Sequence, residues 1–432
     1  MERVLLVTVD LDTEQDKWMV EDIGSELEEL ASACGVEVVD NVVSTRDKAT
    51  PDLFIGKGKV QELIFMCEEM RVDTVIFSHD LSGTQQRNLE AQLKRKTIDR
   101  TQLILEIFSK HANSPEGKLQ VELAQLQYLM PRLVGKGLVL SRTGGGIGTS
   151  GLGEQKLELD RRRIRKRIEK LKNDLKHLSL HRKTIRKKRK DNLIPSVTLV
   201  GYTNAGKSTL LNTLTGSGQV VKDSLFTTLD SLSKLMKLPN GEKVVLSDTV
   251  GFLHKLPHHL IEAFKATLEE VTEADVLIHV LDVSHPRAYQ HNKAVFEVLG
   301  ELEAENKPVI VALNKIDLVE DKRWLEKLKE DFSQPVPVKN GHIAVTPITI
   351  SAKMKLNLDV LLKEIQKNLS SRMERLEFLI PLARMDLVNL LYQEGSVIEI
   401  EYQQKGIKIK ASIPKILSLK LLKDKDVKKL GR

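Results

Sequence analysis

The stretch Thr198-Leu-Val-Gly-Tyr-Thr-Asn-Ala-Gly-Lys-Ser208 decides the fold of this chain. It contains Gly201-x-x-x-x-Gly206-Lys207-Ser208, the spacing of a phosphate-binding P-loop, directly after an apolar run typical of a buried strand. The glycines let successive N–H groups face a phosphate at the start of a helix. Lys207 can then reach the β- and γ-phosphates, and the Ser208 hydroxyl can ligate Mg²⁺. The stretch therefore predicts a strand, a nucleotide-binding loop and a helix.

Three further motifs follow downstream, each at the end of a strand-like apolar run. The first, Asp248-Thr-Val-Gly251, offers a carboxylate that can act on Mg²⁺ through water and a glycine N–H for the γ-phosphate. In the second, Asn314-Lys-Ile-Asp317, the carboxylate can accept hydrogen bonds from N1–H and the 2-amino group of guanine, an edge that adenine lacks. The third, Ser351-Ala-Lys353, is typical of a loop behind the base. This order predicts GTP as the nucleotide.

These motifs assign a role to each candidate residue. The predicted phosphate-binding residues are Gly201, Tyr202, Thr203, Asn204, Ala205, Gly206, Lys207, Ser208, Thr209 and Gly251. The predicted first switch comprises Phe226, Thr227, Thr228 and Leu229, and the second comprises Asp248, Thr249, Val250, Gly251 and Phe252. The predicted guanine-binding residues are Asn314, Lys315, Asp317, Ser351, Ala352 and Lys353. The predicted Mg²⁺ ligands are Ser208, Thr228 in preference to Thr227, and Asp248 through water.

Two residues bear on the rate of hydrolysis. Phe252 stands where many GTPases place a water-orienting glutamine, so we expect slow intrinsic turnover that a partner accelerates. Asn204 lies inside the phosphate loop, and its amide leaves two interpretations open. It is either a ligand for K⁺ beside the β–γ bridge or a residue that stabilises the loop conformation.

Composition limits the class of protein. The chain has 432 residues, only two cysteines, and no apolar run long enough for a signal peptide or a bilayer span. We therefore expect a cytoplasmic protein without stable membrane insertion, and the oligomeric state stays open. Residues 161–190 contain 16 Lys or Arg against two acids, a local charge of +14, whereas the remainder has 51 basic and 58 acidic residues. The excess positive charge thus belongs to one segment.

The organisation of the chain is predicted as α/β, with a P-loop GTPase domain and three other parts. Residues 1–113 form an N-terminal α/β domain, and residues 114–193 form a basic, antiparallel helical hairpin with a Gly-rich tip between Gly135 and Gly153. The G domain covers residues 194–370, and a small C-terminal α/β domain covers residues 371–432. That last domain should contain an antiparallel strand pair at 395–402 and 406–413.

Three features that could suggest additional binding sites are better interpreted as ordinary structural elements. The turn Phe54-Ile-Gly-Lys-Gly-Lys59 lacks full P-loop spacing and is predicted as a strand–turn–helix. Gly146-Ile-Gly-Thr-Ser-Gly151 spells a dinucleotide fingerprint, but no clear strand precedes it, so a flexible tip is the better interpretation. The Lys-rich C-terminal run is predicted to be a solvated tail.

Beyond these general motifs, several stretches resemble the HflX family of ribosome-binding GTPases. They are Gln85-Gln-Arg-Asn-Leu-Glu, Glu116-Gly-Lys-Leu-Gln-Val-Glu-Leu, Leu159-Asp-Arg-Arg, Gly201-Tyr-Thr-Asn-Ala-Gly-Lys-Ser, Asp248-Thr-Val-Gly-Phe and Asp282-Val-Ser-His-Pro. Two departures stand out: the tip reads Ser150-Gly-Leu-Gly-Glu-Gln155 where the family usually has Arg-Gly-Pro-Gly-Glu-Thr, and the first switch continues Leu229-Asp-Ser-Leu instead of Leu-Asp-Pro-Thr. The resemblance extends over nearly the whole chain.

The resemblance implies a function on the ribosome. It implies a GTPase that binds the large (50S) subunit and the 70S ribosome through ribosomal RNA, and that couples GTP turnover to ribosome splitting or rescue under stress. The implied RNA-binding residues are Lys136, Arg142, Arg161, Arg162, Arg163, Arg165 and Lys166. Two alternatives stay open: an assembly checkpoint on the large subunit, and a signalling or membrane-associated GTP switch. The absence of bulky aromatics from residues 157–190 favours RNA over lipid.

Overall fold

The computed structural model of the protein describes residues 1–12, 18–133, 150–191, 194–216, 232–254, 268–304, 306–338, 341–370, 373–403, 406–424 and 427–430. Among these residues the chain divides into two compact units. The first contains Met1–Leu178, and the second contains the described residues from Ser179 onward.

The first unit begins with a four-stranded parallel sheet in the order β2-β1-β3-β4. Its strands are β1 Arg3–Leu11, β2 Glu37–Arg46, β3 Thr74–Phe77 and β4 Lys96–Asp99. Its helices are α1 Val20–Ala33, α2 Lys57–Glu69, α3 Gly83–Leu93 and α4 Arg100–His111. The α/β fold predicted for this region is confirmed.

Polar residues of α3 form hydrogen bonds at the start of the helix and with the turn at Thr50 to Asp52. Ser82 and Gln85 form a capping box at the start of the helix, which satisfies otherwise orphaned N–H groups. The Gln85 side chain also donates to the Thr50 carbonyl at 2.8 Å, and Asn88 Nδ2 donates to the Asp52 carbonyl at 2.9 Å. This family-like stretch therefore braces the neighbouring turn.

Two long helices complete the first unit, and the later one continues into the second unit. They are α5 Pro115–Arg132 and α6 Ser150–Asp191. Leu123, Ile168 and Leu171 form a buried cluster between them, surrounded by Leu119, Leu126, Met130, Ile164 and Leu175. This apolar contact between the two helices agrees with the predicted helical hairpin. The prediction that the Gly-rich loop extends to Gly153 is wrong, because α6 already begins at Ser150.

A buried ion pair ties the end of α5 to the sheet. Arg132 Nη2 lies 2.8 Å from Asp99 Oδ2 and also donates to the Leu81 carbonyl. Asp99 is fully buried and caps α4 by accepting the Gln102 N–H. Because removing one partner of a buried pair leaves a charge without compensation, this contact should be among the costlier ones to break.

The second unit is organised around a six-stranded sheet in the order β12-β9-β8-β5-β7-β6. The strands are β5 Ser196–Val200, β6 Leu232–Lys237, β7 Lys243–Asp248, β8 Val276–Asp282, β9 Val309–Asn314 and β12 Val345–Thr349. All pairings are parallel except that of β6 with β7. The helices are α7 Lys207–Thr215, α8 Ala288–Glu301, α9 Lys322–Asp331 and α10 Leu358–Ser370. A short hairpin is formed by β10 Val336–Val338 and β11 Gly341–Ile343.

The C-terminal region adds a second, antiparallel sheet in the order β14-β15-β13-β16. Its elements are β13 Met373–Ile380, α11 Met385–Glu394, β14 Ser396–Gln403, β15 Gly406–Pro414, α12 Lys415–Lys423 and β16 Lys428–Leu430. The predicted antiparallel pair, β14 with β15, is confirmed. The predicted solvated tail is wrong: Leu417, Leu421 and Val427 are buried, and β16 pairs with β13. Apolar residues among the lysines supply this buried face.

Candidate nucleotide-binding site

The phosphate loop joins β5 to α7 and requires glycine at two positions. Gly201 has φ +152°, and a Cβ added there would lie 2.3 Å from the Val280 carbonyl oxygen. Gly206 has φ +96°, and its Cβ would lie 2.4 Å from Asn314 Nδ2. Since a side chain would meet a neighbouring strand or the Asn314 amide, the fold admits only glycine at these two points. The loop backbone therefore lies against the ends of β8 and β9.

Lys207 begins α7 from inside this loop. Its ammonium donates to the carbonyls of Gly201 at 3.0 Å and Tyr202 at 2.8 Å, and its side chain is buried. Burial lowers the pKa of Lys207 from 10.5 to about 8, a shift that the nearby Asp248 carboxylate opposes. A phosphate group would stabilise the charged form further. Lys207 is therefore a buried cation positioned for an anion.

Ser208 and Asp248 supply the oxygen atoms suited to Mg²⁺. Ser208 Oγ donates to Asp248 Oδ2 at 2.6 Å, although the two residues come from α7 and from the end of β7. A hydroxyl and a carboxylate on adjacent elements fit the preference of Mg²⁺ for hard oxygen ligands. The third predicted ligand, Thr228, lies outside the described residues, as do Phe226, Thr227 and Leu229.

The second switch segment lies directly on the phosphate loop. Phe252 N donates to the Gly201 carbonyl at 3.1 Å, and Thr203 N donates to the Phe252 carbonyl at 3.0 Å. A Cβ added to Gly251 would lie 2.8 Å from Thr203 Cα and 3.1 Å from Lys207 Nζ, so only glycine allows this approach. Phe252 itself is buried. Its apolar ring is therefore held inside the domain.

The other residues of this segment and of the phosphate loop are fixed locally. Thr249 Oγ1 donates to the Leu199 carbonyl at 2.7 Å, and Val250 is buried. Ala205 is buried, whereas Thr209 lies half-buried in the first turn of α7. Asn204 is exposed, with φ +60°. Asparagine tolerates this left-handed conformation, which accounts for its place in the loop, and ligation of K⁺ stays a prediction.

The residues predicted to bind guanine surround the ends of β9 and β12. Asn314 Nδ2 donates to the Ala205 carbonyl at 2.8 Å, and Asn314 Oδ1 accepts the Ala352 N–H at 3.0 Å. Asn314 thereby connects the phosphate loop with the Ser351-Ala-Lys353 loop. Ser351 Oγ accepts the Met354 N–H at 3.0 Å, which shapes that loop. Lys353 is exposed.

Asp317 and Lys315 offer the side chains that a base could contact. Asp317 lies exposed in the 3₁₀ turn Ile316–Leu318, where its carboxylate is accessible to a ligand. Lys315 has φ +65°, and its ammonium forms a 2.7 Å ion pair with Asp282 Oδ2 at the end of β8. Asp282 therefore fixes the direction of the Lys315 side chain.

Helix α6 carries the described candidates for RNA binding. Arg162, Arg163, Arg165 and Lys166 are exposed, and Arg161 is half-buried. Lys136 and Arg142 lie outside the described residues. These cations belong to the first unit, and the nucleotide loop belongs to the second.

Sequence reasoning missed a histidine cluster next to the phosphate loop. The ring of His291 on α8 stacks on Tyr202, with centroids 3.8 Å apart and planes 5° from parallel. The ring of His285 lies 4.6 Å from that of His291. His279 on β8 is fully buried against Phe296, and neither of its ring nitrogens has a hydrogen-bond partner among the described residues. Only the Asp282-Val-Ser-His-Pro stretch hinted at this region.

Burial keeps two of these histidines neutral. It lowers the pKa of His279 from 6.5 to about 3, with a smaller contribution from the Lys207 charge. Burial likewise lowers the pKa of His291 to about 3, assisted by His285 and Arg287. The Tyr202–His291 stack is consequently an uncharged aromatic contact at neutral pH.

Three sequence families match successive parts of the chain. They are described as GTP-binding GTPase N-terminal over residues 21–109, GTP-binding GTPase Middle Region over residues 111–189, and 50S ribosome-binding GTPase over residues 196–315. Together they cover strands β2, β3 and β4 of the first unit, nearly all of the long helices, and the nucleotide-binding domain as far as Lys315.

Individual relatives are similar over nearly the full length. The GTPase HflX of Caldanaerobacter subterraneus subsp. tengcongensis is 47% identical over 95% of this chain and 91% of that protein. The GTPase HflX of Escherichia coli (strain K12) is 44% identical over 71% of this chain and 72% of that protein. Among solved structures, a GTP-binding protein from Sulfolobus solfataricus in complex with GDP gives a TM-score of 0.43 at 26% identity, covering 86% of this chain and 99% of that one.

Proposed function

The chain belongs to the HflX family of GTPases, and we propose that it binds the large ribosomal subunit through helix α6 and couples GTP turnover to ribosome splitting or rescue under stress. Its matching family is described as a 50S ribosome-binding GTPase, which supports the partner. Work on ribosomes would place the protein in the cytoplasm. No helix in the described ranges is long and apolar enough to cross a bilayer.

One observation carries this proposal: a row of unpaired cations along α6. Arg162, Lys166 and Lys170 are exposed, spaced four residues apart, and make no ion pair with any described residue. Four-residue spacing places side chains on one side of a helix. Lys176 continues the exposed positive charge, about 21 Å along the axis from Arg162 at 1.5 Å per residue. Such a row suits the regularly spaced phosphates of RNA.

Neighbouring cations serve the helix itself. Arg167 forms a bidentate pair with Glu122 of α5, with both N···O distances 2.6 Å. Arg163 and Arg165 lie 3.5 and 3.6 Å from Asp160 and Glu158, respectively. The Arg167–Glu122 pair joins the two helices and the other two pairs lie within α6, which leaves the row at Arg162, Lys166 and Lys170 for a polyanion.

Contacts within the second unit support coupling between α6 and the nucleotide. Arg182 of α6 lies 3.7 Å from Glu269, and Ser179 Oγ donates to the same carboxylate at 3.4 Å. Glu269 belongs to helical residues 268–273, which follow the second switch in the sequence. The adjacent Glu270 carbonyl accepts the Thr198 hydroxyl of β5 at 3.1 Å. The end of α6 is therefore linked to the strand that precedes the phosphate loop.

The chain's own residues divide the chemistry of hydrolysis. Lys207 neutralises charge on the transferred phosphoryl group, and Asp317 selects guanine. Ser208 and Asp248 would hold Mg²⁺, which would neutralise charge on the phosphates. Buried Phe252 offers no polar group to align a water molecule. This arrangement supports slow turnover by the free protein, which ribosomes would accelerate under this proposal.

The test is GTP turnover with and without purified 50S subunits or 70S ribosomes, followed on sucrose gradients. Stimulation by 70S ribosomes with loss of the 70S peak is the result expected for a splitting factor. Stimulation by 50S subunits alone, with 70S ribosomes intact, would favour the assembly checkpoint. Turnover that neither particle changes would contradict the ribosomal partner.

A further inference from the structure

Tyr202 lies in the phosphate loop, but its side chain contacts the end of switch II, which comprises the second switch from Asp248 to Phe252 and the adjoining residues to His254. Its ring is buried and stacked on His291, and its hydroxyl accepts the backbone N–H of His254 at 3.1 Å. His254 lies two residues after Phe252, whose backbone pairs with Gly201 and Thr203 on either side of Tyr202. Three hydrogen bonds therefore join the segment from Phe252 to His254 to the phosphate loop, and one stack joins the loop to α8.

From these contacts we propose that Tyr202 and His291 are positioning residues that latch switch II onto the phosphate loop and set the preference for GDP over GTP. The inference needs only the GTPase activity and is independent of the ribosomal partner. Neither side chain is assigned to the reacting phosphate: Tyr202 acts through His254, and His291 acts through Tyr202.

Switch II lies next to the position that a γ-phosphate would occupy at Lys207. Gly251 packs so closely on Thr203 that an added Cβ would lie 2.8 Å from Thr203 Cα, and 3.1 Å from Lys207 Nζ. Lys207 is the cation that reaches the γ-phosphate in this class of loop. A γ-phosphate at Lys207 therefore meets Gly251 directly, and switch II must adjust to it. GDP lacks that group and leaves the latch closed.

The stack is well suited to hold this position. His291 belongs to α8 and is followed along the helix by buried Val295 and Phe296, so its ring is carried on a rigid element. Because the imidazole is neutral, the ring stacks on Tyr202 without desolvating a charge. Burial disfavours a positive charge on His291, and the neighbouring His285 and Arg287 disfavour it further. The latch is thus a neutral contact at physiological pH.

The experiment compares Tyr202→Phe with Tyr289→Phe. The first variant removes the acceptor for His254 and keeps the ring for the stack. The second removes a hydroxyl of the same kind, bonded to Asp331 at 2.6 Å on the other side of α8. Affinities for GDP and for GMPPNP are measured for both variants and the unmodified protein. We expect Tyr202→Phe to shift the affinity ratio about fivefold towards GMPPNP, the effect of one ordinary hydrogen bond, and Tyr289→Phe to leave it unchanged.

Two further measurements keep the test decisive if Tyr202→Phe disturbs the loop. His291→Leu removes the stack from outside the phosphate loop and should shift the ratio in the same direction. Amide exchange at His254 in the GDP complex should accelerate in Tyr202→Phe but not in Tyr289→Phe. An unchanged affinity ratio in both Tyr202→Phe and His291→Leu would overturn the latch. Equal loss of both affinities with unchanged exchange would also overturn it, since this indicates general damage to the loop.

Discussion

The phosphate loop and helix α6 use positive charge in opposite ways. Lys207 is a single buried cation whose pKa burial lowers to about 8 and whose ammonium is held by two carbonyls. Arg162 and Lys166 are exposed cations that make no ion pair with the described residues around them. A buried, oriented cation recognises one ligand geometry, whereas an exposed row responds to the density of phosphate charge. Mutations in the phosphate loop should therefore weaken nucleotide binding without changing ribosome binding by α6, and mutations in α6 should do the reverse.

The largest effect is expected at the guanine site. Asp317→Asn should weaken GTP binding by about 100-fold, because the carboxylate proposed to accept two guanine hydrogen bonds is lost, and it should admit xanthosine nucleotides. Equilibrium binding of GTP and XTP measures both changes. The control is Asp321→Asn, which alters an exposed acid four residues away that caps α9. Unchanged GTP affinity in Asp317→Asn would remove the guanine assignment.

The buried histidines should make the nucleotide-binding domain sensitive to acid. The folded pKa values of His279 and His291 are about 3, below their unfolded value of 6.5, so the unfolded chain binds more protons between those values. Stability is therefore complete above pH 6.5 and is lost as the pH falls. From pH 7 to pH 5 we expect a loss of about 2 kcal/mol for each histidine. Urea denaturation followed by Trp324 fluorescence, in a Trp18→Phe background, measures it.

Matched variants separate the buried histidines from the exposed ones. His279→Leu should remove about half of the difference between pH 7 and pH 5. His177→Gln changes an exposed histidine on α6 and should leave that difference as it is. Equal pH dependence in unmodified protein and in His279→Leu would contradict the assignment.

A smaller pH effect should appear in nucleotide binding. Lys207 has a pKa of about 8, and a phosphate favours its charged form, so affinity is lost as the pH rises through 8. We expect GDP affinity to fall about fourfold from pH 7 to pH 8.5. Calorimetry in two buffers of different ionisation enthalpy should record proton uptake near pH 8. Binding without proton uptake would show that Lys207 is already fully charged.

The smallest effect concerns the monovalent cation. If Asn204 ligates K⁺, GTP hydrolysis should be several-fold faster in potassium than in sodium, at about the size of one lost or gained ligand contact. Asn204→Gly keeps the left-handed backbone and removes the amide, so it should abolish the difference between the two salts. Identical rates in potassium and sodium for the unmodified protein would leave Asn204 with its structural role alone.

The same contrast explains what the sequence could predict. Glycine is required at 201, 206 and 251 because of the local backbone conformation or because a neighbouring segment packs too closely for a side chain. Motifs of fixed spacing could therefore predict these positions. The Tyr202–His254 bond joins residues 52 positions apart, and no local pattern encodes it. Strand β8 is buried throughout, but the polar His279 interrupts its apolar run, so nothing in the sequence indicated that this histidine is a core residue. The apolar residues near the C-terminus are interspersed with lysines in the sequence, so no apolar pattern indicated burial. Only the folded sheet places several of these apolar side chains in the core and leaves the lysines of β16 outside it.

The most direct test of the division between the two regions is 50S binding across a range of salt concentrations. The test variant replaces Arg162, Lys166 and Lys170 with Gln, and the control replaces three exposed lysines of the nucleotide-binding domain, namely Lys234, Lys237 and Lys327. We expect the α6 variant to bind 50S subunits more weakly, with a salt dependence reduced by about three units in the log–log slope, and to keep its GTP affinity. The control should match the unmodified protein. Equal 50S affinity and slope in the α6 variant would contradict helix α6 as the ribosomal contact.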